Sequence, residues 1–173
     1  MPARPVVRLR AFAPRDDAPL RLLFADPGTR LWNPGTSDDD VTGWRVRSNR
    51  RTPDGETWVV ADPDDDRLLG TVSLFDVDHG QGTGELGYRV LPAERGRGVA
   101  VAGLLAASAR AYDVHGLRRL QLFHAVGNGA SCGVALAAGF VVEGTLRASY
   151  VYGDGVAHDE HLHARLVGDV VDL

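Results

Sequence analysis

Short apolar bursts and longer stretches of helical period divide this chain into elements before any residue is given a role. Residues 5–12 (PVVRLRAF) read as a short strand, punctuated by APRDDAP. A first helix is expected over 16–25, ending at DPGT. WNPGTSDDD then reads as a loop in which Ser37 or Asp38 caps a second helix running to about Asn49. TWVVAD and RLLGTVSLFDV read as two strands joined at DPDDD, whose acidic run is expected to be a solvated hairpin tip. After the loop HGQGTG comes a further strand, ELGYRVL. Helical period takes over from about Gly98 to Val114, with Val101, Leu104, Leu105, Ser108 and Tyr112 on a shared face. The other faces carry Ala and Val as well, so this helix is expected to be buried almost all round. GLRRLQLFHAV returns to strand and NGASCGVALAAGF supplies a short helix. VVEGTLRASYV and GVAHDEHLHARL close the chain as a hairpin about residues 152–155, YGDG. No repeat, linker or low-complexity segment breaks this order, which is that of one mixed α/β domain over 1–173.

Composition narrows the function classes. A net charge of −4 argues against a broad basic surface for nucleic acid. All 19 basic residues are arginine, which removes any Schiff-base or lysine chemistry. The lone cysteine, Cys132, has no internal partner for a disulfide, which suits a reducing compartment. No stretch approaches the roughly 18 apolar residues of a membrane span, and the N-terminus lacks a signal-peptide core. A soluble, cytoplasmic protein without membrane or nucleic-acid partners is expected.

The stretch LPAERGRGVA, residues 91–100, places two glycines and two arginines between a strand and the strongest helix. Free amides and the helix dipole favour an anion at such a helix start. Gly96 and Gly98 leave those amides bare, and Arg95 and Arg97 carry charge suited to phosphate oxygens. A tight turn in which glycine serves only chain geometry fits the same spacing. A P-loop is excluded because the chain has no lysine, and there is no G-x-G-x-x-G with an acidic residue at the next strand end, as dinucleotide binding requires.

Arg95 to Ala100 also matches the R/Q-x-x-G-x-G/A signature of the Gcn5-related N-acetyltransferases, the GNAT superfamily. GELGYRVLPAERGRGVA and NGASCGVALAAGFVVEGTLR look like that family's RimJ/RimL branch, which acetylates protein N-termini and related amines. The resemblance spans nearly the whole chain. It implies a central, mostly antiparallel sheet of about seven strands flanked by about four helices. It further implies acetyl-CoA as cosubstrate, no metal, an amine acceptor (a small molecule or a protein N-terminus), and often a homodimer.

Carried onto this sequence, the resemblance implies that Arg95, Gly96, Arg97, Gly98, Val99 and Ala100 hold the pyrophosphate. Backbone groups of Tyr88, Arg89 and Val90 pair with the pantetheine arm, and one of them serves as oxyanion donor. Alternation puts Glu85, Gly87 and Arg89 on one face of the strand and Leu86, Tyr88 and Val90 on the other. Glu85 matches a position where family members keep a general base; a solvated or Arg-paired carboxylate is the other reading. Asn128 is a helix cap, a pantetheine contact, or both. Ser131 matches a serine near the CoA sulfur, where a hydroxyl can protonate the leaving thiolate. Where other members carry a tyrosine acid, this chain has Ala135. Trp32, Asn33 and Tyr150, with Trp44 and Asp38 to Asp40, are the candidate acceptor contacts; the aspartates also suit a helix start. Cys132 reads as packing, with a covalent acyl-cysteine as the minor alternative. His79 is placed either at the acceptor site or in solvent, and the role of His124 stays open. His158, His161 and His163 match no metal spacing, although His161 and His163 share a strand face.

Overall fold

A computed structural model of the chain describes residues 5–35 and 37–170. Its strands are β1 (Arg8–Arg10), β2 (Glu56–Ala61), β3 (Leu68–Asp78), β4 (Thr83–Val90), β5 (Arg119–Ala125), β6 (Val141–Val151) and β7 (Ala157–Leu166). They form a seven-stranded sheet in the order β1-β2-β3-β4-β5-β7-β6. Every neighbouring pair is antiparallel except β4 and β5. The expected mixed sheet is thus present.

The helices are α1 (Asp17–Ala25), α2 (Pro27–Trp32), α3 (Val41–Ser48), α4 (Val99–Asp113) and α5 (Gly129–Ala137). Five therefore stand where about four were expected, because α2 occupies the stretch read as a terminator. DPGT does end α1, but Asp26 then accepts from Thr29 N at 2.8 Å and Pro27 opens the next helix. An acidic cap followed by proline is a helix start as well as a helix stop. The cap of α3 is Asp40, whose carboxylate accepts from Gly43 N at 3.0 Å, and not Ser37 or Asp38.

β2 shows why several strands lack polar alternation. Trp58 and Val60 join a core under α4 and α5, while Val59 and Ala61 join a second one with Leu20, Leu23, Phe24 and Val41. Both faces are covered, so both sets of side chains are apolar. At roughly 1.5–3 kcal/mol per large apolar side chain, this double burial is the main stabilising contribution. The α4 helix supplies Val101, Leu104, Ala107 and Ala111 to the larger core. As expected it is buried on most sides, with Ala109 and Asp113 exposed.

The feature that matters for function is a split in the sheet. β4 pairs with β5 only at Thr83, Gly84 and Glu85, whereas its ladder with β3 runs on to Val90. On its other edge β5 pairs with β7 along its whole length, from Arg119 to Ala125. Leu86 to Val90 therefore have a strand neighbour on one side only, and the gap opens onto cavities on both faces of the sheet.

Candidate active site

Two cavities meet at this split. The first, of about 570 Å³, runs from Leu86–Val90 to the glycine turn and the start of α5. The second, of about 730 Å³, holds Glu85, Asp76, Arg89, Tyr150 and Glu160. Trp32, Asn33, Gly87, Arg89 and Tyr152 line both. A long, narrow ligand and a separate small one can therefore reach the same point of β4 from opposite sides.

At one end of the first cavity, Gly96 and Gly98 adopt φ of 72° and 80°. Both are left-handed, which only glycine takes without strain. Gly98 is the N-cap of α4 and carries no capping side chain, so the first amides of the helix face outward. The two readings of the stretch coincide: the geometry requires glycine, and it leaves a bare anion cradle. The arginines are less free than their spacing suggested. Arg95 pairs with Asp26 and donates from Nε to the Val90 carbonyl at 3.3 Å, tying the end of β4 to the start of α2. Arg97, exposed, pairs with buried Glu94 at 2.8 Å, and Glu94 also receives Arg67. Arg95, Gly96, Gly98 and Ala100 line the cavity, while Val99 is buried beneath it.

The other end is set by α5. Asn128 Oδ1 accepts from Ser131 N at 3.2 Å, which is its cap, and Asn128 also lines the cavity. Ser131 is buried, and its Oγ lies 3.0 Å from the Tyr88 hydroxyl. Burial pushes the Tyr88 phenol up from its ordinary value, partly offset by the Ser131 hydrogen bond, so it keeps its proton. Ala135 is fully buried in the core, and the phenol of this site comes from β4.

On the opposite face Glu85 is half-buried. Burial, then the neighbouring carboxylates of Asp76 and Glu160, push it up to about 7. Asp76 sits at the bulge in β3 with φ of 49°. Glu160 is held by Tyr152 Oη at 2.7 Å and Ser149 Oγ at 2.8 Å. Arg89 is half-buried, has no ion-pair partner among the described residues, and its Nε is buried without a hydrogen bond. Burial, partly offset by Tyr150, lowers it to about 10.

Trp32 packs edge-on against Tyr152 with ring centroids 5.6 Å apart, and Tyr150 packs against Tyr152 at 5.0 Å. Trp32, Asn33, Trp44 and Tyr150 all line the second cavity. The acidic loop does not. Asp38 pairs with Arg30, Asp40 caps α3 and pairs with Arg47, and Asp39 bonds Ser37. His79 bonds the Pro53 carbonyl and lines neither cavity. His158 pairs with Asp154 at 2.8 Å.

Sequence reasoning passed over the Tyr88 hydroxyl, the unpaired Arg89 guanidinium and the carboxylates of Asp26, Asp76, Glu94 and Glu160. Alternation along β4 carries the signal for the first two. Glu94 directly precedes the glycine turn, whereas Asp26, Asp76 and Glu160 come from other elements and leave none.

The family described as the acetyltransferase (GNAT) domain matches residues 7–141. No curated protein matches the sequence. Among solved structures, Mycobacterium smegmatis RimJ in complex with CoA-disulfide is similar at TM-score 0.83 and 24% identity, over 96% of this chain and 84% of that one. Vibrio cholerae spermidine N-acetyltransferase, in complex with CoA and spermine, is similar at TM-score 0.80 and 21% identity, over 94% and 96%. A ribosomal-protein-S5-alanine acetyltransferase from Vibrio fischeri gives TM-score 0.80 and 21% identity, over 94% of each chain. At these identities the solved structures speak for the fold, which is the one the resemblance implied.

Proposed function

The chain belongs to the GNAT acetyltransferase family, and on that premise we propose that this enzyme transfers an acetyl group directly from acetyl-CoA to a primary amine. The observation that carries the proposal is the one-sided β4 strand from Leu86 to Val90, which opens onto a cavity with a bare glycine turn at its far end. Such a strand offers backbone donors and acceptors to an extended amide-bearing arm, and the turn offers amides to a pyrophosphate. Solved structures of this fold include complexes with CoA and with acetyl-CoA, which supports that cosubstrate. When bound, acetyl-CoA supplies an acetyl group activated as a thioester.

Three tasks fall to this chain. Glu85, poised near 7, takes a proton from the amine, whose nitrogen forms the new C–N bond before the C–S bond breaks. An unpaired amide of Tyr88 to Val90 stabilises the oxygen of the tetrahedral intermediate. The Tyr88–Ser131 hydroxyl pair, on the other face of the strand, donates a proton to the departing thiolate. Gly96 to Ala100 hold the pyrophosphate, with Arg97 and Arg95 beside it, and Asn128 contacts the arm.

The second cavity receives the acceptor, between Trp32, Asn33 and Tyr150. Glu85, Asp76 and Glu160 favour an amine that arrives protonated. Arg89, unpaired on the same wall, favours an acceptor that also carries an anionic group, such as a peptide with an acidic residue or an amino acid. A protein N-terminus with a nearby acidic residue and a small amine that bears a carboxylate both satisfy this. A homodimer would use the edge strand β6, whose Val141, Val142, Leu146 and Val151 are exposed.

The test is thermal unfolding with and without acetyl-CoA, followed by acetyl transfer to a panel of amines. At about a hundred times its dissociation constant, the cosubstrate should add roughly 2.7 kcal/mol of stability. No shift in the wild-type chain would overturn the proposal.

A further inference from the structure

Behind the thiol end of the first cavity, three imidazoles and the thiol converge. The register of β5 on β7 sets His124 directly opposite His161, with His163 two residues farther along β7 on the same face. Cys132 reaches the group from α5. One ligand atom from each of the four lies within 4.8 Å of all the others. A tetrahedral zinc ion with bonds of about 2.0–2.1 Å to nitrogen and 2.3 Å to sulfur would need its ligand atoms roughly 3.3–3.7 Å apart. The four atoms span separations from 2.9 Å to no more than 4.8 Å, so side-chain shifts of about 1 Å bring them to that size.

The protons decide what this cluster is. His124 Nδ1 lies 2.8 Å from the Ala125 carbonyl, and His163 Nδ1 lies 3.3 Å from the Phe140 carbonyl. A carbonyl can only accept, so both δ nitrogens carry hydrogen. Both ε nitrogens are then lone pairs, and they face each other 2.9 Å apart. A hydrogen bond between them needs one ring to be cationic. Both rings are buried, and a cation without a counter-charge is costly there. His161 adds a buried Nδ1 that has no hydrogen-bond partner. The two ε lone pairs converge with no N–H between them, an arrangement that is costly unless something positive joins them. Donation of the far ring N–H to a backbone carbonyl is also the outer-shell contact by which metal-bound histidines are oriented.

We infer that His124, His161, His163 and Cys132 bind one zinc(II) ion in a closed tetrahedral site. The residue types, three imidazoles and a thiolate, suit that cation over calcium or magnesium. With all four positions filled by protein, its role is structural: it staples the first turn of α5 to β5 and β7. Ser131 precedes Cys132 in that turn and His124 lines the first cavity, so the staple holds the wall against which the cosubstrate lies. Sequence spacing conceals the site because its ligands come from three elements, with only His161 and His163 close in the chain.

The test uses the full-length chain, stripped with chelator and titrated with Co²⁺ and then Zn²⁺. The expected result is one equivalent bound, with the intense visible bands of tetrahedral Co²⁺, a thiolate-to-cobalt charge-transfer band in the near ultraviolet, and bleaching by Zn²⁺. Cys132→Ser should abolish the charge-transfer band and weaken Zn²⁺ binding by at least about tenfold. His161→Asn, at a half-buried position, should weaken binding likewise while circular dichroism reports an intact fold. A stripped chain that takes up neither ion would overturn the site. So would Co²⁺ that binds in an octahedral spectrum untouched by either substitution. The readout is independent of acetyl transfer.

Discussion

The Tyr88 hydroxyl, on the cosubstrate-facing side of β4, lies 3.0 Å from Ser131 Oγ at the start of α5. The two residues are separated by 43 positions, and each alone has an ordinary explanation. Together they make a buried hydroxyl pair at one end of the first cavity, which on the proposed mechanism serves to protonate the leaving thiolate.

Tyr88→Phe and Ser131→Ala should each lower kcat by about 10²-fold, with a smaller effect on the KM for acetyl-CoA. The double variant should be little worse than the more damaged single one, because the pair acts as a unit. Steady-state kinetics of the three variants check this. Additive losses would mean that the hydroxyls act separately.

On the proposed mechanism Glu85 sets the pH dependence. Its folded pKa of about 7 means that kcat/KM should rise with pH through that value in the wild type. In Glu85→Gln the limb should vanish and the rate fall by roughly 10²–10⁴-fold. The sign for stability is opposite. Between the ordinary carboxylate range and pH 7 the folded state holds a proton that the unfolded chain has released, so stability falls as pH rises. Glu85→Gln should therefore raise Tm relative to wild type more at pH 8 than at pH 5. A melting series across that range decides it, and a difference independent of pH would refute the shifted carboxyl.

Gly98→Asp tests the glycine turn. At φ of 80° any side chain is strained, and its Cβ would stand 3.0 Å from Pro5 Cδ. The cost to the free protein should be about 1 kcal/mol, while the stabilisation by acetyl-CoA should disappear as a carboxylate enters the anion cradle. A melting shift equal to that of wild type would remove the pyrophosphate from this turn.

Arg89→Gln should raise KM more than tenfold for acceptors that carry a carboxylate near the amine and leave plain amines nearly unchanged. It should not destabilise the fold, since it removes a buried charge that has no partner. Equal losses for both acceptor classes would assign Arg89 to the strand and not to the acceptor.

Much of this enzyme is determined locally. The apolar period of 98–114, the alternation of β4 and the glycines at 96 and 98 are short-range constraints, set by helix geometry, pleat and φ. They are legible one segment at a time, and so were Glu85 opposite Tyr88, the α5 cap and the family itself. The stretch DPGT at 26–29 reads only as a stop for the same reason, since proline after an acidic cap carries two local meanings and only packing against α1 and the 152–155 turn selects the helix.

The tertiary structure alone decided what distant residues do to one another. That Arg95 is tied to Asp26, that Asp76 and Glu160 raise Glu85, and that Arg89 stays unpaired follow from the order β3-β4-β5-β7 and from the parting of β4 and β5 after Glu85. Charge interactions and hydrogen bonds depend on separation in space, and strand pairing sets that separation across stretches of chain where local pattern has no reach. The four-residue cluster of His124, Cys132, His161 and His163 belongs to this second kind: its register is a property of β5 on β7, and no spacing along the chain encodes it.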